Sequence, residues 1–317
     1  MQPYTRLLQW YKQRLQLARQ NADREYARAL ELPQFVQAEQ EIQRLSSEAA
    51  RKKVYGLPRK EDERMLADAV SRRNKICEEH GLNAAAFTPK PECGLCGDSG
   101  FNKEGKACSC FLRRLHELNV RECGLSPSPL PSFSECDFEL FDTMLREKRR
   151  KLFNAVWQYC HDYPSTKTDR FLFYGKSGTG KTFLAGCMAD TLIVRGYNVI
   201  FAQAGELNSV FLRALSDRSP KRFLYADTLK NTDFLFVDDL GSEPVIPNVT
   251  HENLYALLSF RLERKKPTII TTNLNPEQLR ALYGDRIFSR IAGGNGLLSV
   301  VFDGTDLRLK QKSRPRD

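Results

Sequence analysis

The octet Gly175-Lys176-Ser177-Gly178-Thr179-Gly180-Lys181-Thr182 fits the phosphate-loop pattern G-x-x-x-x-G-K-[ST] in full. It constrains the fold because such a loop cradles an anion only where a buried strand runs into a helix. Its backbone N–H groups then line the anion site, and the helix adds the positive end of its dipole. The flanks supply that context: Phe171-Leu172-Phe173-Tyr174 is strand-like, and Phe183 to Val194 reads as a helix. A Gly/Lys-rich surface turn is the alternative, and the order strand, loop, helix speaks against it. The motif implies a nucleoside triphosphate, with Lys181 on the β- and γ-phosphates and the Thr182 hydroxyl on Mg²⁺.

A chain of 317 residues can hold one large domain or two ordinary ones, and 41% hydrophobic content supports a core. A net charge of +10 favours an anionic partner, most simply nucleic acid, although a solvated basic surface gives the same sum. No apolar stretch has the length of a membrane span, and MQPYTRLLQWYKQR is too polar for a signal peptide. The expectation is a cytoplasmic protein with no membrane contact, in which nine cysteines point to metal before disulfides.

Residues 1–90 read as a helical N-terminal region. Tyr4, Leu7, Leu8, Tyr11, Leu15 and Ala18 share one helical face, Pro33 interrupts, and Phe35, Ala38, Ile42, Leu45 and Ala49 make a second stripe. A third helix is predicted from Lys60 to Glu79. This region is either a bundle with a solvated face or a docking arm for another protein, and the two are compatible. Residues 91–125 hold a cysteine cluster and a helix from Phe111 to Arg121. The stretch Leu125-Ser126-Pro127-Ser128-Pro129-Leu130-Pro131 reads as the linker to a nucleotide-binding domain over 126–317. There, strands at 170–174, 198–203, 233–237, 268–272 and 298–302 alternate with helices. That pattern predicts an α/β fold: a parallel sheet with helices on both faces.

Phe234-Leu235-Phe236-Val237-Asp238-Asp239 would deliver two carboxylates to the phosphate edge of that sheet. Asp238 suits Mg²⁺, through water, and Asp239 suits orienting the attacking water. The strand Thr268 to Thr272 ends in Asn273, which could bond the γ-phosphate or that water, or could simply cap a turn.

Together GKSGTGKT (175–182), FLFVDDLGSE (234–243), PTIITTN (267–273) and DRIFSRI (285–291) resemble the AAA+ ATPases. More narrowly, they resemble the DnaC/DnaI group of bacterial replicative helicase loaders, with the IstB transposition ATPases as relatives. The resemblance spans roughly residues 130–310. It implies a P-loop AAA+ sheet without a C-terminal lid. It places Arg290 as the arginine finger that reaches a neighbouring subunit's γ-phosphate, with Arg286 as fallback and Arg308 as the second sensor arginine. A finger acting in trans implies self-association on a partner or on DNA. Asp239 is shorter than the Glu usual in AAA+ proteins, so slow hydrolysis is expected.

Cys93-Gly94-Leu95-Cys96 and Cys108-Ser109-Cys110 offer four thiolates in a short segment. Zinc-knuckle spacing in the first pair points to Zn²⁺, with a redox disulfide and an iron–sulfur cluster as alternatives. Cys77, His80, His116 or Cys123 could replace one ligand. The segment also resembles the cysteine-rich stretch before the ATPase domain of DnaI-like loaders, where the N-terminal region contacts the helicase. Lys221, Arg222, Phe223 and Tyr225 mix cations with rings, as single-stranded DNA binders do. The expected function is an ATP-dependent helicase loader in DNA replication that binds single-stranded DNA and is an ATPase stimulated by its partner or by DNA. The alternatives are an IstB-like transposition helper and a nucleotide-switched DNA-binding module with little hydrolysis. A GTPase is disfavoured because no N-K-x-D motif is found.

Overall fold

The computed structural model describes residues 3–55, 60–216 and 227–312. The chain forms two compact units that meet in sequence between Lys106 and Ala107. Among the described residues no helix is long and apolar enough to cross a membrane. The basic and aromatic segment from Asp217 to Tyr225 lies outside the described residues.

The first unit is built on three helices: α1 (Pro3–Leu30), α2 (Pro33–Val54) and α3 (Lys60–Glu79). Pro33 stands at the first turn of α2, where its missing N–H costs nothing. The predicted stripes are only partly buried. Leu7, Tyr11, Phe35, Leu45 and Ala69 are inside, whereas Tyr4 is exposed. A small core forms from Ala29, Phe35, Cys77 and Leu82. Phe35, Tyr26 and Phe87 meet edge to face around it. Lys52–Asp62 and Arg73–Glu39 ion pairs tie α2 to α3 at 2.8 and 3.0 Å.

The second unit opens with α4 (Ser109–Glu122) and α5 (Thr143–Asp162). Five parallel strands follow: β1 (Arg170–Gly175), β2 (Val199–Gln203), β3 (Phe234–Asp238), β4 (Thr268–Thr272) and β5 (Leu297–Phe302). The sheet order is β2-β3-β4-β1-β5. Between the strands run α6 (Lys181–Val194), α7 (Ala204–Ser216), α8 (Thr250–Glu263) and α9 (Pro276–Ala292), and α10 (Leu307–Lys312) follows β5.

Strand side chains alternate between faces, so the sheet separates two cores. Phe171, Phe173, Phe201, Phe234, Phe236 and Ile269 pack with α5 and α6 on one side. Leu172, Ile200, Leu235, Val237 and Ile270 pack with α7, α8 and α9 on the other. This is the α/β sheet covered on both faces that the strand–helix alternation predicts.

The chain divides before α4 rather than at the Pro/Ser stretch. Val120, Cys123 and Leu125 are buried in the same core as β2 and β3, and Leu130 packs on the opposite core. Arg113 of α4 makes a two-point ion pair with Asp190 of α6, at 2.7 and 2.9 Å, and His116 bonds the Val199 carbonyl at 3.1 Å. A run that reads as a linker by composition is held here by the apolar residues on either side of its prolines.

Candidate nucleotide site

The phosphate loop joins β1 to α6 at the carboxyl edge of the sheet, where open α/β sheets bind ligands. Gly175 turns the chain with φ +128°, and a Cβ there would sit 2.2 Å from the Phe302 carbonyl oxygen of β5. Only glycine fits that approach. Thr179 Oγ1 donates to the Lys176 carbonyl at 2.7 Å and ties the loop across itself. A cleft of 570 Å³ opens over the loop. Ser177, Gly178, Gly180, Lys181 and Thr182 line its floor, and Pro131, Cys136, Leu140 and Phe141 give it an apolar wall.

Lys181 is buried. Its Nζ donates to the carbonyls of Gly175 (2.9 Å) and Lys176 (2.7 Å) and to Asn273 Oδ1 (2.9 Å). Burial pulls its ammonium below the usual lysine range, opposed by Asp239 and Asp238. Phosphate oxygens in the cleft would hold the charged form.

β4 lies between β1 and β3, so its end brings Asn273 level with both the lysine and the acidic pair. Asn273 Nδ2 donates to Asp239 Oδ1 at 2.7 Å while its carbonyl oxygen takes the Lys181 bond. The amide thus has one fixed orientation, linking Lys181 to Asp239.

Thr182 Oγ1 donates to Asp238 Oδ1 at 2.8 Å, and Thr271 Oγ1 donates to the same oxygen at 2.6 Å. Thr182 and Asp238 offer adjacent hard oxygens, the donor set Mg²⁺ takes, so the residues fit that ion. Burial pushes the Asp238 carboxyl above the ordinary aspartate range, the two threonine hydroxyls oppose it, and the like charge of Asp239 adds to the rise.

Asp239 follows with φ +55°, a left-handed conformation that is rare for a non-glycine residue. Its N–H is held by Thr271 Oγ1 at 2.9 Å. Strain of this kind persists where the surroundings fix it, and here it turns the Asp239 carboxylate into the cleft.

Thr271 serves both aspartates, donating to the Asp238 carboxylate and accepting the Asp239 N–H, and the sequence reading missed it. A threonine inside an apolar strand reads as an ordinary β-former, although the alternation along β4 could have aligned it with Asn273.

A raised carboxyl pKa has a stability consequence. The group favours the folded chain below its unfolded pKa, and that contribution is lost as pH rises through the folded value. Above that folded value the nucleotide-free protein carries ionised Asp238 at a cost. Asp238→Asn keeps an acceptor for both threonines. It is expected to raise the melting temperature of the nucleotide-free protein at neutral pH, with the gain shrinking in mild acid, while removing Mg²⁺-dependent ATP binding. Thermal melts at the two pH values check the sign.

Arg308 reaches the phosphate loop, donating to Ser177 Oγ at 3.0 Å, and lines the cleft. The start of α10 is pinned there by the Leu307 N–H on the Gly178 carbonyl, at 2.9 Å. Arg290 and Arg286 do not line their own chain's cleft. Arg290 instead donates to Ser259 Oγ (3.1 Å) and Tyr255 Oη (3.3 Å) on α8.

Beyond the acidic pair, Glu243 is buried. It accepts the Gly241 N–H at 2.8 Å and the Tyr283 hydroxyl of α9. Directly after Tyr283, Gly284 breaks α9 with φ +77°.

In the segment 93–110, the sulfurs of Cys93, Cys96, Cys108 and Cys110 all lie within 4.8 Å of one another. Four thiolates about a tetrahedral ion at 2.3 Å stand roughly 3.8 Å apart, so the donor set and spacing fit zinc. The turn is prebuilt: the Gly97 N–H bonds the Cys93 carbonyl at 2.9 Å, and Asp98 accepts from the N–H groups of Glu92 and Cys93, both at 3.0 Å. Burial works to raise the Asp98 carboxyl, but those two N–H donors and Arg14 outweigh it and hold the group below the usual range. The flanking alternatives are engaged elsewhere. Cys77 is in the first unit's core, the Cys123 thiol faces the Asn119 carbonyl, His80 bonds Ile76, and His116 bonds Val199.

Residues 160–314 match the family model described as IstB-like ATP binding protein. The replicative helicase loader DnaC of Escherichia coli (strain K12) is 28% identical over 184 residues, covering 56% of this chain and 71% of that protein. The replicative helicase loader DnaI of Bacillus subtilis (strain 168) is 28% identical over 133 residues, 42% of each chain. A solved DnaI crystal structure aligns with a TM-score of 0.44 at 25% identity, over 56% of this chain and 90% of that one. The second unit therefore carries an IstB-like ATP-binding domain, and the chain is homologous to the DnaC/DnaI helicase loaders.

Proposed function

We propose that this protein is an ATPase that binds single-stranded DNA and loads a ring-shaped replicative helicase in the cytoplasm. The observation that carries the reading is the linked set Lys181–Asn273–Asp239 and Thr182–Asp238–Thr271 at one sheet edge. It occurs in a domain whose relatives include proteins named as helicase loaders.

Lys181 and the loop N–H groups bind the β- and γ-phosphates, and Thr182 with Asp238 would hold Mg²⁺. The ion supplies charge neutralisation at the phosphates when bound. Asp239, aimed by its backbone and by Asn273, orients the attacking water and can accept its proton. Asn273 keeps Lys181 and Asp239 in register. Arg308 neutralises charge from the same chain, and Arg290 does so from the neighbouring subunit. Positioning and charge stabilisation supply most of the rate in such chemistry, and the shorter Asp239 makes it slow. Zinc on the four cysteines would staple the segment that follows the N-terminal helices, and those helices are the helicase-contacting part.

The reading is tested by co-migration of the purified protein with the host's replicative helicase, with ATP present, and by transfer of that ring onto circular single-stranded DNA. A stable complex and a loaded ring are the expected results. A protein that ignores the helicase but delivers a transposase to target DNA would establish the transposition helper instead, the reading favoured by the family match over 160–314.

A further inference from the structure

We propose that Tyr255 is a positioning residue that presents Arg286 and Arg290 together to the phosphates bound by a neighbouring subunit. The inference rests on the reading of Arg290 as a finger acting in trans.

Two pairs at the same helical spacing meet here. Tyr255 and Ser259 lie four residues apart on α8, and Arg286 and Arg290 lie four apart on α9. Arg290 uses Nε on Ser259 Oγ at 3.1 Å and Nη2 on Tyr255 Oη at 3.3 Å. The Arg286 guanidinium lies over the Tyr255 ring, 4.4 Å from its centroid, and the Arg290 guanidinium is 5.4 Å from the same centroid. One phenol therefore organises both cations, by its face and by its hydroxyl. A hydrogen bond from Arg286, another with Ser259 and the charge of Arg290 hold the phenol below the usual tyrosine range.

Two guanidinium groups repel each other and lose much side-chain entropy when ordered. Tyr255 offsets both costs before any phosphate arrives. The bonds to Ser259 and Tyr255 use two of the five Arg290 N–H donors, and an anion can take up others. The placement on α9 also matters. Both arginines follow the Gly284 break, while Tyr283 just before it is tied through Glu243 to the loop after Asp239. The arginine half of α9 is thus set apart from the half anchored to the chain's own site, and α8 supplies the hold.

The test is a subunit-mixing assay of ATP turnover in the full-length protein. Arg290→Ala subunits keep an intact cleft but lack the finger. Lys181→Ala subunits cannot use ATP but retain Tyr255, Arg286 and Arg290, so mixing the two restores turnover. Lys181→Ala/Tyr255→Ala donors are expected to restore about tenfold to a hundredfold less, because small misplacements of a catalytic group cost that much. Lys181→Ala/Tyr255→Phe donors keep the ring and lose only the hydroxyl bond, for a loss of about threefold. Tyr255 also packs on the core, so the stability control is Tyr255→Phe alone, in which kcat should fall while ATP affinity and the melting temperature stay near wild type. Full rescue by the Tyr255→Ala donors overturns the role of Tyr255 and leaves the finger standing. No rescue by the simple Lys181→Ala donors overturns the finger in trans, and this proposal with it.

Discussion

Replacing Arg290 with alanine is expected to cut ATP turnover by about a thousandfold, the low end of what an arginine finger contributes. ATP affinity at each cleft should not change. The argument is geometric. Arg290 does not line its own chain's cleft, and its guanidinium is held on α8 by Ser259 and Tyr255. Its removal leaves Lys181, Thr182, Asp238, Asp239 and Asn273 in place, so nucleotide binding and Mg²⁺ dependence persist. Turnover should also rise more steeply than linearly with protein concentration in the wild type, and that curvature should vanish in the variant. Fluorescent-nucleotide titration and a turnover series over protein concentration check both halves. Full-rate turnover by Arg290→Ala would assign the role elsewhere, with Arg286, four residues earlier and over the same ring, next in line.

Removing zinc carries the second large effect. A structural zinc site supplies on the order of 10 kcal/mol of folding free energy. The local order of the segment from Cys93 to Cys110 is a set of tight turns with positive φ at Gly97, Asp98, Gly100 and Gly105, and Leu95 is exposed. Chelation, or Cys96→Ser, is expected to release one zinc per chain and expose the segment to protease near Lys103 and Lys106. The melting of the ATP-binding domain should change little, because that domain has two cores of its own. Metal analysis with limited proteolysis checks the outcome. A protein that carries no zinc as isolated and gains none on reconstitution would return the four cysteines to the disulfide or iron–sulfur readings.

Much of the second unit was legible in the sequence because two strong periodicities coincide there. The β4 bounds, Thr268–Thr272, are those expected, since an unbroken β-branched run between Pro267 and Asn273 favours a strand over those residues. The phosphate loop is equally direct, because it needs its strand and helix to function. The stretch 125–131 misled for a physical reason: its prolines break helix and strand alike, while the burial of Leu125 depends on a partner surface drawn from residues as far along the chain as Ile291. Tyr255 was hidden in the same way. A tyrosine on an amphipathic helix reads as part of the core, and only the approach of α9 reveals that its hydroxyl and ring face arginines. Side chains that face a ligand through their own strand are readable from one segment. Those that act through a second element are not.

The most direct measurement is ATP hydrolysis by the zinc-loaded protein with single-stranded DNA and the host's replicative helicase, beside Lys181→Ala. Turnover that rises when DNA or helicase is added and disappears in Lys181→Ala is the predicted result. ATP bound without turnover in the presence of both partners, or equal turnover by Lys181→Ala, would contradict the ATPase account.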